Sequence, residues 1–256
     1  MDVPWMTRGQ PKLSRSEPQP PAAMAGIMPG MLLLRADFSQ RTVVTPDSHA
    51  WTTSPQAGVE RVMLDRVGDE VARATSLVRY AAGSHFPRHV HGGGEVIFVL
   101  EGGFSVDAQH YPAGWYLRSP PDSSHQPFSQ EGALLFVKLW QMTPEERDEV
   151  RIDTGDAARW THHEGRERGP LFSDGREQVW LERLRPGQAL ALGPVRGAEL
   201  LVLDGKLSVD GTRCGARSWV RVPTGDEPAA VGGPDGATLY VKTGHLGAAS
   251  VPVRAA

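Results

Sequence analysis

The chain has a single cysteine, Cys214, among 256 residues, so no internal disulfide can form and no CxxC-type zinc site exists. A reducing cytoplasm suits that composition. A strong excess of one charge is also missing. With 27 basic and 30 acidic side chains and a formal net charge of -3, no nucleic-acid or anionic-membrane partner is expected. No apolar run reaches the roughly 18 residues that a membrane span requires. Helix signals are scarce too. The clearest is TPEERDEV at 143–150, with Thr143 as cap, Pro144 and early acids, and it predicts one connecting turn.

What is abundant is turn chemistry, with 29 glycines and 21 prolines. Residues 1–35 read as a Pro-rich disordered tail centred on SEPQPP (16–21). Within it, AAMAGIMPGMLLL (22–34) loosely imitates a signal peptide. Pro29 and Gly30 interrupt the apolar run and no small-residue cleavage pattern follows, so the tail reading is preferred; Met31 is an alternative start. Beyond residue 35 the chain reads as strands. TSLVRYAA (75–82), VIFVL (96–100), GWYLR (114–118) and ALLFVKLW (133–140) are short, β-branched or aromatic, and bounded by turn residues.

These segments recur. Trp51-Thr52 returns as Trp160-Thr161, VRYAAG (78–83) as ERLRPG (182–187), and IFVLEG (97–102) as LLVLDG (200–205). YLRSP (116–120) returns as WVRVP (219–223) and EGALLFVK (131–138) as DGATLYVK (235–242), mostly at an offset of 103 or 104 residues. Repetition at domain length implies two tandem β domains, 36–145 and 146–250.

Chemistry concentrates in HVHGGGE at 89–95. On a strand, residues i and i+2 share a face, so His89 and His91 can aim at one point. Three glycines allow a sharp bend that returns Glu95 toward it. A third imidazole, His125, ends another strand in RSPPDSSHQPF. Three neutral imidazoles and a carboxylate suit one divalent transition metal, with zinc or iron foremost and manganese, nickel or copper able to use the same set. Glu95 is either the fourth ligand or, when detached, a base.

The pattern Gly83-x5-His89-x-His91-x3-Glu95-x6-Gly102 resembles the first cupin motif, and Gly114-x5-Pro120-x-Asp122-x2-His125 resembles the second. The family usually has Gly at Asp122 and Asn at Ser129. FPRHVHGGGE, YPAGWYLRSPPDSSHQPFS and the closing VKTGHL are similar to the cupin half of the ChrR anti-sigma factor and, more distantly, to acetylacetone dioxygenase-type cupins. The resemblance implies an all-β bicupin of double-stranded β-helix (jelly-roll) barrels, with His89, His91, Glu95 and His125 as metal ligands. It implies an oxidative-stress regulator or sensor, or else a metal-dependent dioxygenase acting on a small diketone or enol. A third possibility is a metal that only holds the barrel together. ChrR grips its sigma factor through a separate helical zinc domain. Residues 1–35 hold no cysteine, so a sigma-factor partner is not expected, whereas a small-molecule ligand and a homodimer are.

In the second half, on the 104-residue offset, His89 becomes Gly193, His91 becomes Val195 and Glu95 becomes Glu199, while His125 becomes Pro228 or Ala229. The second barrel is therefore expected to hold no metal. His162 and His163 are adjacent, so they point to opposite faces and read as surface residues. His49, His85, His110 and His245 lack partners at ligand spacing and read as structural or solvent-facing residues. Arg118 and Arg221 occupy equivalent repeat positions, as do Trp51 and Trp160, and these pairs read as an ion-pairing motif and as anchors. Cys214 is a lone thiol, and a redox-sensor role is not expected of it.

Overall fold

A computed structural model describes residues 31–69, 71–163, 165–193 and 196–246. The tail expected at 1–35 lies outside them except for its last residues. Strands dominate, and the described residues contain only two short helical turns, Pro46–Ser48 and Ala157–Arg159. At 143–150 a single hydrogen bond from Glu146 N to Thr143 O closes one turn, as its composition predicts.

The strands form two main antiparallel sheets with matching order. In the first, the order is Leu33–Leu34, Val59–Val67, Arg73–Tyr80, Ala133–Leu139, Glu95–Val106, Trp115–Ser119 and Val150–Asp153. In the second it is Thr161–His163, Arg166–Ser173, Gln178–Leu184, Ala230–Thr243, Ala198–Val209, Trp219–Val222 and Thr42–Val44. The last strand of each sheet comes from the other half of the sequence. Val150–Asp153 pairs with Trp115–Ser119, and Thr42–Val44 pairs with Trp219–Val222. This reciprocal exchange ties the halves together.

Strand alternation then sorts side chains into three cores. Ile97, Val99, Phe104, Tyr111 and Leu117 fill the first barrel, while Leu200, Val202, Leu207 and Val220 fill the second. Between the barrels lie Val96, Phe98, Tyr116, Phe136, Leu201, Trp219 and Tyr240. Burying this area supplies the main driving force at about 25 cal/mol per Å².

The layer between the barrels also buries charges, and Lys138, Arg118 and Arg221 are each matched by a carboxylate of the opposite half. Lys138 Nζ donates to Thr75 Oγ1 at 3.0 Å and is ion-paired with Glu199, which lies 2.9 Å from His245 Nε2. Arg118 meets Glu146 at 2.5 Å and Glu177 at 2.9 Å, and stacks 3.8 Å over Phe172. Lys242 meets the same Glu177 at 2.9 Å. Arg221 reaches Asp65 at 3.3 Å. Arg118 and Arg221 thus share the pairing role that their repeat positions suggest. A buried charge left without its partner costs several kcal/mol, so these pairs commit the halves to one another. Outside this layer the repeat shows again: Arg79 lies 3.8 Å over Trp51, and Arg183 lies 3.7 Å over Trp160.

Candidate metal centre

His89–His91 forms a two-stranded ribbon with Ser123–His125, with His125 directly opposite His89 and Ser123 opposite His91. Cross-strand partners share a face, as do i and i+2, so all three imidazoles project from one side of the ribbon. Val90, on the other side, is 63% exposed. The ring centroids lie 4.6–4.8 Å apart, and one ligand nitrogen from each ring falls within 4.8 Å of the others. His91 Nε2 and His125 Nε2 are 2.9 Å apart. His89 Nδ1 sits 2.9 Å from the carbonyl of Pro87. A carbonyl only accepts, so Nδ1 carries the proton and Nε2 keeps its lone pair for the site.

Glu95 opens the next strand and closes the group from the opposite wall. Its Oε2 lies 3.3 Å from His91 Nε2 and 3.5 Å from His125 Nε2. The residue is 8% exposed, and Oε2 has no hydrogen-bond partner. An orphaned buried carboxylate oxygen facing two imidazole nitrogens is costly unless something else satisfies it. A cation would, so the donor set fits a divalent metal.

The bend that brings Glu95 home depends on two glycines. A Cβ on Gly93 would lie 2.4 Å from the Trp140 indole, and Gly94, at φ +73°, backs onto Met142 in the same way. Backbone bonds from Trp140 N to Gly94 O, at 3.2 Å, and from Gly94 N to His91 O, at 3.1 Å, fix the loop. Asp122 adopts φ +66° and donates its amide to His91 O at 2.9 Å, which explains the family's glycine there. Aspartate tolerates this conformation better than most residues. Ser129, fully buried, donates to Gly103 O at 2.6 Å.

Electrostatically His91, His125 and Glu95 are neutral at pH 7 when no metal is bound. Burial first, then repulsion from His125 and His89, lowers His91 to about 3. Burial and then the neighbouring His89 lower His125 to about 4. Burial lifts Glu95 to about 8, with Arg151 pulling the other way. The short His–Glu distances therefore mark a neutral contact at pH 7 rather than an ion pair. The imidazoles are ready to ligate, whereas Glu95 must shed a proton first.

The second barrel differs at every corresponding position that is described. Glu95 pairs with Ser119, and the matching pair in the second barrel is Ala198 with Val222. Val96 faces Arg118 as Glu199 faces Arg221. Glu199 is thus the counterpart of Val96, not of Glu95, and it points into the layer between the barrels. The loop from Gly193 to Ala198 is one residue shorter than HVHGGGE, and that deletion shifts the register. The bonds Asp107 N to Gln126 O and Asp210 N to Ala229 O align His125 with Pro228. Gly193 stands at the position of His89, and Val195 lies outside the described residues. Further along, Val59 and Val78 of the first barrel give way to Arg166 and Glu182, which pair at 3.3 Å.

His245 is buried against Glu199, His110 contacts Ser105 at 3.1 Å, and His85 and His162 are exposed. Cys214 is buried, which pushes its thiol pKa up and removes thiolate character. Sequence reasoning missed Trp140, Met142 and the Pro87 carbonyl, which support the site through the fold alone. No described helix is long and apolar enough to cross a membrane.

Comparison with known proteins agrees with this architecture. Residues 39–143 match the family model described as the ChrR Cupin-like domain. A candidate dioxygenase from Nostoc punctiforme superposes with a TM-score of 0.68 at 16% identity, covering 85% of this chain and 88% of that one. The bacterial pirin YhhW from Escherichia coli, in complex with nickel(II), gives 0.60 at 11% identity over 80% and 98%. A cupin 2 conserved barrel protein from Leptotrichia buccalis gives 0.51 at 14% over 75% and 91%. These identities establish shared fold only. No curated protein matches the chain in sequence. Residues 39–143 thus match the ChrR Cupin-like domain, and the described residues share the cupin fold.

Proposed function

We propose that this protein is a ChrR-like metal-binding bicupin in which one divalent transition metal, zinc or iron first, is held by His89, His91, His125 and Glu95, and that it serves a regulatory or sensor role linked to oxidative stress. The observation that carries the reading is the orphaned Glu95 oxygen, buried and facing His91 and His125. A carboxylate already turned inward favours a closed four-ligand set, in which loss of metal or oxidation of a ligand alters the ribbon and its exposed face. The halves 36–145 and 146–250 are then a metal barrel and its structural mate.

A second reading has one observation in its favour. His89 is only partly buried, so one side of the group is reachable from outside. A metal there would supply Lewis-acid or redox chemistry toward a small diketone or enol, and Glu95, detached from it, would serve as the base that removes a substrate proton. Anaerobic purification, elemental analysis and oxygen uptake with a panel of β-diketones separate the readings. Stoichiometric metal released by peroxide, without substrate-dependent oxygen uptake, supports the sensor. Oxygen uptake abolished in His125→Ala supports the enzyme instead.

A further inference from the structure

The wall beside Glu95 contains a cation that neither motif predicts. Val150–Asp153, the strand lent to the first sheet by the second half of the sequence, pairs with Trp115–Ser119 so that Arg151 lies opposite Leu117. Val150 and Ile152 face the layer between the barrels, so Arg151 faces the interior of the first barrel, on the same side as Leu117. Its guanidinium is held in place. Nη1 donates to the carbonyls of Arg118 and Val150, both at 2.8 Å, and Nη2 donates to Ser119 Oγ at 3.1 Å. Ser119 is the direct cross-strand partner of Glu95, and such partners stand about 5 Å apart at Cβ. The positive end of Arg151 therefore sits one side chain from the centre. Its field reaches both Glu95 and His125.

The remaining partner of Arg151 is weakly placed. Glu149 meets Nη2 at 2.5 Å but is 63% exposed, while the Arg151 side chain is 22% exposed. An exposed carboxylate on a flexible stem is a poor counterion and easily displaced. With a divalent cation, one carboxylate and three neutral imidazoles, the centre keeps one net positive charge, and Arg151 adds a second. Once Glu149 swings away, two uncompensated positive charges at the edge of a low-dielectric barrel attract an anion strongly.

Resting on the metal-centre reading, we infer that Arg151 is an anion-recognising arm beside that centre, and that the ligand it admits is a small anion, a carboxylate or enolate. Glu149 covers the arm until that anion arrives. A purely structural Arg151, tying an edge strand to its neighbour, would have no effect on anion affinity.

Cobalt(II)-loaded full-length protein, titrated with azide as a small anion and with imidazole as a neutral ligand and followed by its visible spectrum, tests this. Arg151→Gln is expected to weaken azide at least tenfold and leave imidazole within about twofold, at unchanged cobalt content. Arg151→Lys should fall between, since a point charge replaces a fixed fork. Glu149→Gln should tighten azide severalfold by removing the competitor. Cobalt uptake with azide affinity unchanged in Arg151→Lys and Glu149→Gln overturns the inference alone. Failure of the wild-type protein to take up cobalt overturns the metal-centre reading and this inference with it.

Discussion

Two barrels with the same strand order have been put to different uses. In the first, the strand wall offers Glu95, and the ribbon opposite offers three imidazoles, of which burial keeps His91 and His125 neutral. In the second, the matching positions hold Ala198, Gly193 and Pro228, and an Arg166–Glu182 pair occupies what is a Val59 and Val78 surface in the first. The charges of the second half have moved outward to the shared layer, where Glu199 neutralises Lys138, and Glu177 neutralises Arg118 and Lys242. A duplicated fold can thus keep its frame while one copy carries the chemistry and the other supplies the counter-charges. The swapped edge strands join the halves by backbone hydrogen bonds as well as by charge, and one of them carries Arg151 to the centre.

The comparison can be broken first at the ligands. His125→Ala is expected to lower metal affinity at least 100-fold, about 2.7 kcal/mol or more, as read by competition with a chelator, while the far-ultraviolet spectrum is unchanged. A variant that keeps its metal would move the centre elsewhere.

The next test sets the two glutamates against each other. Glu199→Gln should destabilise the protein by about 3–5 kcal/mol in denaturant unfolding, because Lys138 is left buried and unpaired, yet leave metal stoichiometry intact. Glu95→Gln should do the reverse, weakening metal binding at little cost to the fold. Equal effects from both would contradict the register drawn here.

A milder perturbation acts through the loop. Gly93→Ala pushes a methyl into the Trp140 indole and should cost about 1–3 kcal/mol, with metal affinity falling alongside. The smallest effect concerns protons. Glu95 titrates near 8 without metal, so below that pH the carboxyl must give up a proton on binding. Affinity should therefore rise about tenfold per pH unit between 5 and 8 and level off above. In Glu95→Gln that slope should flatten, with a further loss near pH 4 and below as His125 and then His91 charge.

Much of this was legible in the sequence. The i, i+2 pair His89 and His91, the glycine bend and the later His125 carry their geometry in their spacing, and the repeat of strand-and-turn blocks gave the tandem architecture. The counterpart of Glu95 is misread when the 104-residue offset is carried through to Glu199, because a one-residue deletion between Gly193 and Ala198 drops the offset to the 103 at which IFVLEG returns as LLVLDG. In a strand one residue is the whole difference between facing the barrel and facing its neighbour. Trp140, Met142 and Arg151 were invisible for another reason. Their roles depend on where the chain after Leu139 runs, and no local pattern records that an edge strand crosses to the other sheet.

The most direct test of the account is metal stoichiometry measured on wild-type protein and on His91→Ala, each loaded with zinc and freed of excess by gel filtration. One zinc per chain, falling to none in the variant, is predicted. Two per chain, or one retained without His91, would contradict the division of labour between the barrels.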